Sequence, residues 1–145
     1  HIGKYKGKDI IIDYAHNPGG VETILRELKK VYETIAVVIS VSSESGEKGD
    51  NDILNKSLNI ADFVIPASFH SRKGVDNFKN SAIKSEKIIL TSKYPEDYKK
   101  GTLGANLEQL TEGLKTALEC HVDAVICIGE AAFKYKEDIQ KIIGQ

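Results

Sequence analysis

The string DYAHNPGG, residues 13–20, gathers several chemically useful side chains into one short stretch at the end of an isoleucine-rich run, DIIIDYA. Asp13 supplies a carboxylate and His16 an imidazole. Asn17 suits the cap of a helix whose first position, Pro18, needs no N–H. A helix starting there points free backbone amides and the positive end of its dipole at whatever lies above it, which suits a phosphate or a carboxylate. A carboxylate and an imidazole beside such a site also fit ribose hydroxyls and a metal-bound phosphate. The same residue types also serve turns structurally, by tying and capping them.

Further along, Arg72 in SFHSRKG follows an apolar run, where a planar guanidinium can pair a substrate carboxylate in bidentate fashion, with His70 close by. Glu130 in CIGEAAF is either a cleft carboxylate or an acid favoured by a helix N-terminus. Arg26, beside Glu22, Glu27 and Lys30, reads as part of a solvated, salt-bridged helix face, and Lys93–Lys100 as a solvated mixed-charge loop. Cys120 and Cys127 have no CxxC spacing and read as reduced apolar filler, and no metal site is expected. Residues 3–9, GKYKGKD, are one residue short of GxxxxGK[ST], carry Asp9 in place of the hydroxyl and precede a strand, so they form no P-loop. The chain by itself is not expected to turn over ATP.

The elements that must position these residues follow from apolar periodicity. Asp9–Ala15, Ile35–Val41, Asp62–Ser68, Lys87–Thr91 and Asp123–Gly129 read as strands, most of them apolar on both faces. Helical stripes fall between and after them: Val21 to Tyr32; Ile53 to Ile60 after the polar loop SSESGEKGD; Leu107 to Leu118; and Phe133 to Ile143. His121 is read as closing the third of these helices by satisfying its last carbonyls. Strands that alternate with helices and lack a polar face imply an open, mostly parallel, Rossmann-like α/β sheet with helices on both faces, and His1–Lys8 reads as a short edge hairpin. In such a sheet ligands collect at the carboxyl ends of the strands, where DYAHNPGG lies.

The 145 residues have room for one domain. They are 41% hydrophobic and 28% charged, with a net charge of -1, which excludes a disordered chain and a phosphate-backbone binder, so no nucleic acid partner is expected. No apolar run nears the roughly 18 residues of a membrane span, and no signal peptide opens the chain, so a cytoplasmic protein is expected. The chain has no methionine, position 1 included, and His1 suggests a domain cut from a longer multidomain protein or a processed product.

DYAHNP, directly after an apolar strand and opening a helix, resembles the start of the C-terminal domain of the Mur ligase superfamily, ATP-dependent amide-bond ligases that include peptidoglycan-precursor amino-acid ligases, folylpolyglutamate synthase and cyanophycin synthetase. The form with Tyr and Asn followed by Gly is most similar to the cyanophycin synthetase branch. GEKGDNDI is similar to that branch's loop after the second strand, with Lys48 where the family often carries an Asp-Arg pair. The resemblance implies a domain that closes over ATP and magnesium held mainly by absent N-terminal and central ATPase domains, and that presents an amino acid or peptide amine to an acyl phosphate. It implies that Asp13 contacts the ribose, that His16 acts at the phosphate and magnesium region, and that Asn17 borders the same cleft. It also makes Ser43, Arg72 and Lys73 candidates for holding the amine substrate. Readings of another class are a stand-alone, non-catalytic α/β module that binds a nucleotide or anion, and a receiver-like domain. A receiver is disfavoured because the first strand ends in the single Asp13 and Gly129-Glu130 follows the last.

Overall fold

The computed structural model describes residues 1–41, 46–67, 85–91 and 107–144. Strands β1 (Gly3–Tyr5), β2 (Lys8–Asp13), β3 (Ile35–Ile39), β4 (Phe63–Pro66) and β5 (Ala124–Ile128) form a five-stranded sheet in the order β1-β2-β5-β3-β4. β2, β5, β3 and β4 run parallel, and β1 pairs antiparallel on the edge, Gly3 opposite Ile10 and Tyr5 opposite Lys8. The two residues of its hairpin turn, Lys6 and Gly7, both have positive φ, 48° and 85°, as a tight turn matched to strand twist requires.

Every residue of β3 and β5 is buried, which is why neither strand shows a polar face in sequence. Alternate residues feed two cores. On one face Ile11, Val37, Ile39, Ile126 and Ile128 meet Val21 and Leu25 of α1 (Pro18–Val31) and Ile53 and Leu54 of α2 (Gly46–Ile60). On the other, Ile10, Val38, Val125 and Cys127 meet Leu110 and Leu114 of α3 (Leu107–Leu118), Ala131 and Ala132 of α4 (Glu130–Lys134), and Ile139 of α5 (Lys136–Ile143). The expected α/β fold with helices on both faces and an edge hairpin is the one observed. Arg26 and Lys56 both pair with Glu22, at 3.8 and 2.6 Å, and Lys30 pairs with Glu27 at 3.0 Å, so the charged face of α1 is the salt-bridged surface expected of it.

Some boundaries differ from expectation. β2 stops at Asp13, because the Asp13 side chain accepts from the Ala15 amide and turns the chain out of the sheet. The strand expected at Lys87–Thr91 reduces to a single bridge, Ile88 to Val64, preceded by a 3₁₀ turn at Ser85–Lys87. There the Lys87 ammonium donates to the carbonyls of Leu58 and Ala61 at 3.1 and 3.2 Å, closing the end of α2 and holding the segment as a turn. α2 begins at Gly46, so GEKGD belongs to the helix, where Glu and Lys are good formers. The terminal helix is two helices broken at Tyr135, with φ −103° and ψ 25°. Among the described residues no helix is long and apolar enough to cross a membrane.

At the amino end of the sheet the Tyr32 hydroxyl donates to Asp9 at 2.5 Å, joining α1 to β2. That hydrogen bond first, and the nearby Lys4 charge after it, hold the Asp9 carboxyl below its ordinary value, while the same bond and burial push the Tyr32 hydroxyl up. The lowered carboxyl contributes stability that is complete above about pH 3.8 and is lost as pH falls through its folded value. The raised phenol contributes stability that is complete below pH 10.0 and is lost as pH rises through its folded value. Tyr32→Phe is therefore expected to flatten both the acid and the alkaline limbs of a urea-midpoint profile against pH and to leave its middle unchanged in slope. Limbs as steep as those of the parent would refute this coupling.

Candidate functional site

In register, β2, β5 and β3 finish at Asp13, Ile128 and Ile39. The chain leaves β2 for α1 on one face and leaves the adjacent β5 for α4 on the other. Neighbouring strands that send their helices to opposite faces open a crevice at their carboxyl ends, the usual ligand position in a doubly wound sheet. Its base is tied across all three strands. The Gly129 amide donates to the Asp13 carbonyl at 3.0 Å, and the amide and hydroxyl of Ser40 both donate to the Ile128 carbonyl, at 3.0 and 2.6 Å.

The turn above this base places the expected residues together. Asp13 Oδ1 accepts from the Ala15 amide at 2.8 Å, a bond that engages one of its two carboxylate oxygens. Asn17, in an extended backbone conformation, caps α1 by accepting from the Gly20 amide at 2.8 Å. His16 Nδ1 lies 3.3 Å from the Tyr14 carbonyl oxygen. A carbonyl only accepts, so as a hydrogen bond this contact requires the proton on Nδ1 and leaves Nε2 for another partner. Because Asn17 caps through its oxygen, Asn17→Ala is expected to cost about 1 kcal/mol in chemical denaturation and Asn17→Asp to be nearly neutral. Equal losses in the two variants would assign the effect to something other than the cap.

The structure thus joins Asp13, His16 and Asn17 on one turn. Ser43, Arg72 and Lys73, with His70 and the Lys93–Lys100 loop, lie outside the described residues. Glu130 opens α4 at the same end of the sheet. Sequence reasoning missed Tyr14 and Phe133. Phe133 reads as one more apolar residue in a helical stripe, yet it is 49% exposed, and its ring meets that of Tyr14 edge to face with centroids 5.3 Å apart. Its one sequence signal is its position four residues after the glycine that ends β5.

Among the described residues no group of three or more His, Cys, Asp or Glu could hold a metal ion, so these residues do not make a magnesium cage of their own. Both cysteines are free and buried, and burial pushes the Cys127 thiol up to about 12, consistent with inert packing.

The chain matches the family model for the Mur ligase, glutamate ligase domain, over residues 1–102. A pseudomurein peptide ligase type C from Methanothermus fervidus is 39% identical, with a TM-score of 0.79, over 97% of this chain and 28% of that one. A domain from a Haemophilus ducreyi protein, assigned as a UDP-N-acetylmuramate:L-alanyl-gamma-D-glutamyl-diaminopimelate ligase, shares the fold at 14% identity and a TM-score of 0.54. That match covers 97% of this chain and 98% of the domain. The chain therefore spans just over a quarter of the pseudomurein ligase it matches. No functionally curated protein matches it significantly.

Proposed function

Because the chain belongs to the Mur ligase family through its glutamate ligase domain, we propose that it is the C-terminal domain of an ATP-dependent ligase that joins a carboxylate to the amine of an amino acid or peptide. The observation that carries this reading is the β2–α1 turn, which sets Asp13, His16 and Asn17 over the crevice between β2 and β5. Likeness to a pseudomurein peptide ligase supports a peptide as the substrate class.

In this reading the γ-phosphoryl group of ATP moves to a substrate carboxylate oxygen with release of ADP, the amine nitrogen attacks the acyl carbon and gives up a proton to solvent, and phosphate leaves with the electrons of the broken acyl C–O bond. The P-loop that such phosphoryl transfer needs would belong to another domain of the same protein, where magnesium would neutralise the phosphate charge. This chain acts when it closes over them. The second oxygen of Asp13 accepts from ribose hydroxyls. His16, held by the Tyr14 carbonyl through Nδ1–H, presents Nε2 to the phosphoryl oxygens, where its protonated form donates a charge-assisted hydrogen bond. The capped start of α1 adds the dipole of a helix N-terminus to the same region. Closure also aligns the amine and excludes water from the acyl phosphate. Ser43, Arg72 and Lys73 are assigned by family resemblance to the amine substrate. Dependence on ATP supports a cytoplasmic protein.

The test is ADP release by the full-length protein offered ATP, peptide carboxylates and an amino-acid panel. The reading expects release that requires both a carboxylate and an amine. Release that needs neither, or none with any pair, would overturn it.

A further inference from the structure

Three aromatic rings form a continuous file across the crevice. Phe133 of α4 meets Tyr14 at 5.3 Å and 84°, and Tyr14 meets His16 at 5.3 Å and 61°. The two ends differ in how firmly they are held. α4 is anchored by its neighbours Ala131 and Ala132, which are buried in the core, and by Gly129, wedged against Ser40 at its start. Tyr14, half exposed, sits on the turn beyond the last sheet pair of β2, and its carbonyl holds His16 Nδ1. The Phe133 ring thus joins a half-exposed tyrosine on the turn to a helix packed on the core, and among the described residues His16 meets that tyrosine through both its ring and its carbonyl.

We propose that Phe133 is a positioning residue that sets the orientation of His16 through Tyr14. Edge-to-face packing has a preferred geometry that an aliphatic side chain lacks, so an aromatic ring at position 133 restricts the Tyr14 ring in a way that mere apolar cover does not. Phe133 is half exposed and, unlike its neighbours Ala131 and Ala132, takes no part in the buried core. The inference rests on the role proposed above for His16, but its first readout does not.

The experiment compares Phe133→Leu and Phe133→Tyr in the full-length protein labelled with ¹³C-histidine, with His16→Gln used to assign the His16 signals. Phe133→Leu is expected to move the His16 ring signals and to lower kcat about three- to tenfold, the range of one aromatic pair, with KM for ATP within about twofold. Phe133→Tyr keeps the ring and should leave both readouts near the parent. Unmoved His16 signals in Phe133→Leu, or equal loss of activity in the Leu and Tyr variants, would overturn the proposal. Moved signals with unchanged kcat would uphold the ring file and refute the catalytic role of His16 instead.

Discussion

Alanine at position 129 is expected to destabilise the fold by about 3–5 kcal/mol, a large share of the roughly 5–15 kcal/mol that holds a domain of this size together. Gly129 has φ 108° and ψ 178°, a conformation closed to side chains. An added β-carbon would also lie 2.7 Å from the carbonyl carbon and oxygen of Ser40 and 2.8 Å from the α-carbon of Val41, all backbone atoms that cannot rotate away. Relief requires β5 and the end of β3 to separate, which breaks the two Ser40 hydrogen bonds to the Ile128 carbonyl at the base of the crevice. Gly7→Ala is the control. Gly7 also has positive φ, 85°, but nothing lies within 4 Å of its added carbon, so about 1–2 kcal/mol of backbone strain is its whole cost. Urea unfolding of the two variants measures the difference. Equal losses would show that the strand ends are not packed as tightly as described.

Loss of the imidazole should fall on activity instead of stability. His16→Ala in the full-length protein is expected to lower kcat/KM for the proposed ligation by about 10²- to 10³-fold, the effect of removing one hydrogen-bond donor from developing phosphoryl charge. Its urea midpoint should barely move, since the side chain lies outside the core and surface changes usually stay within about 0.5 kcal/mol. Asp13→Asn is the matched test of the carboxylate. Asparagine keeps an oxygen for the Ala15 amide, so the turn survives, while the charged acceptor proposed for the ribose is lost. An increase of about tenfold or more in KM for ATP is expected, the range of a hydrogen bond to a charged group. Full activity in both variants would remove the nucleotide from this turn.

Much of this arrangement is legible in the chain itself. β3 and β5 announce themselves because burial on both faces leaves IAVVI and AVICI with no polar residue, and α1 because its stripe, its Asn17 cap and Pro18 agree. Asp13, His16 and Asn17 are legible because residues close in sequence on a turn stay close in space. Phe133 is not, since its partner lies far away in sequence and only the order β2-β5 brings them side by side. The break at Tyr135 is hidden because apolar residues continue through it at helical spacing. The shortened strand at Ile88 is hidden for a different reason: its periodicity is sound, but the Lys87 ammonium finds two carbonyls at the end of α2.

Closure of the β2–α1 turn on the nucleotide is the step on which the proposed function rests. Hydrogen exchange of the full-length protein tests it directly, with and without a non-hydrolysable ATP analogue together with the carboxylate and amine substrates. Slowed exchange is expected for the amides of residues 14–20, Pro18 excepted, and 129–131 when all ligands are present. Slowed exchange elsewhere in the protein, with these two segments unchanged, would contradict it.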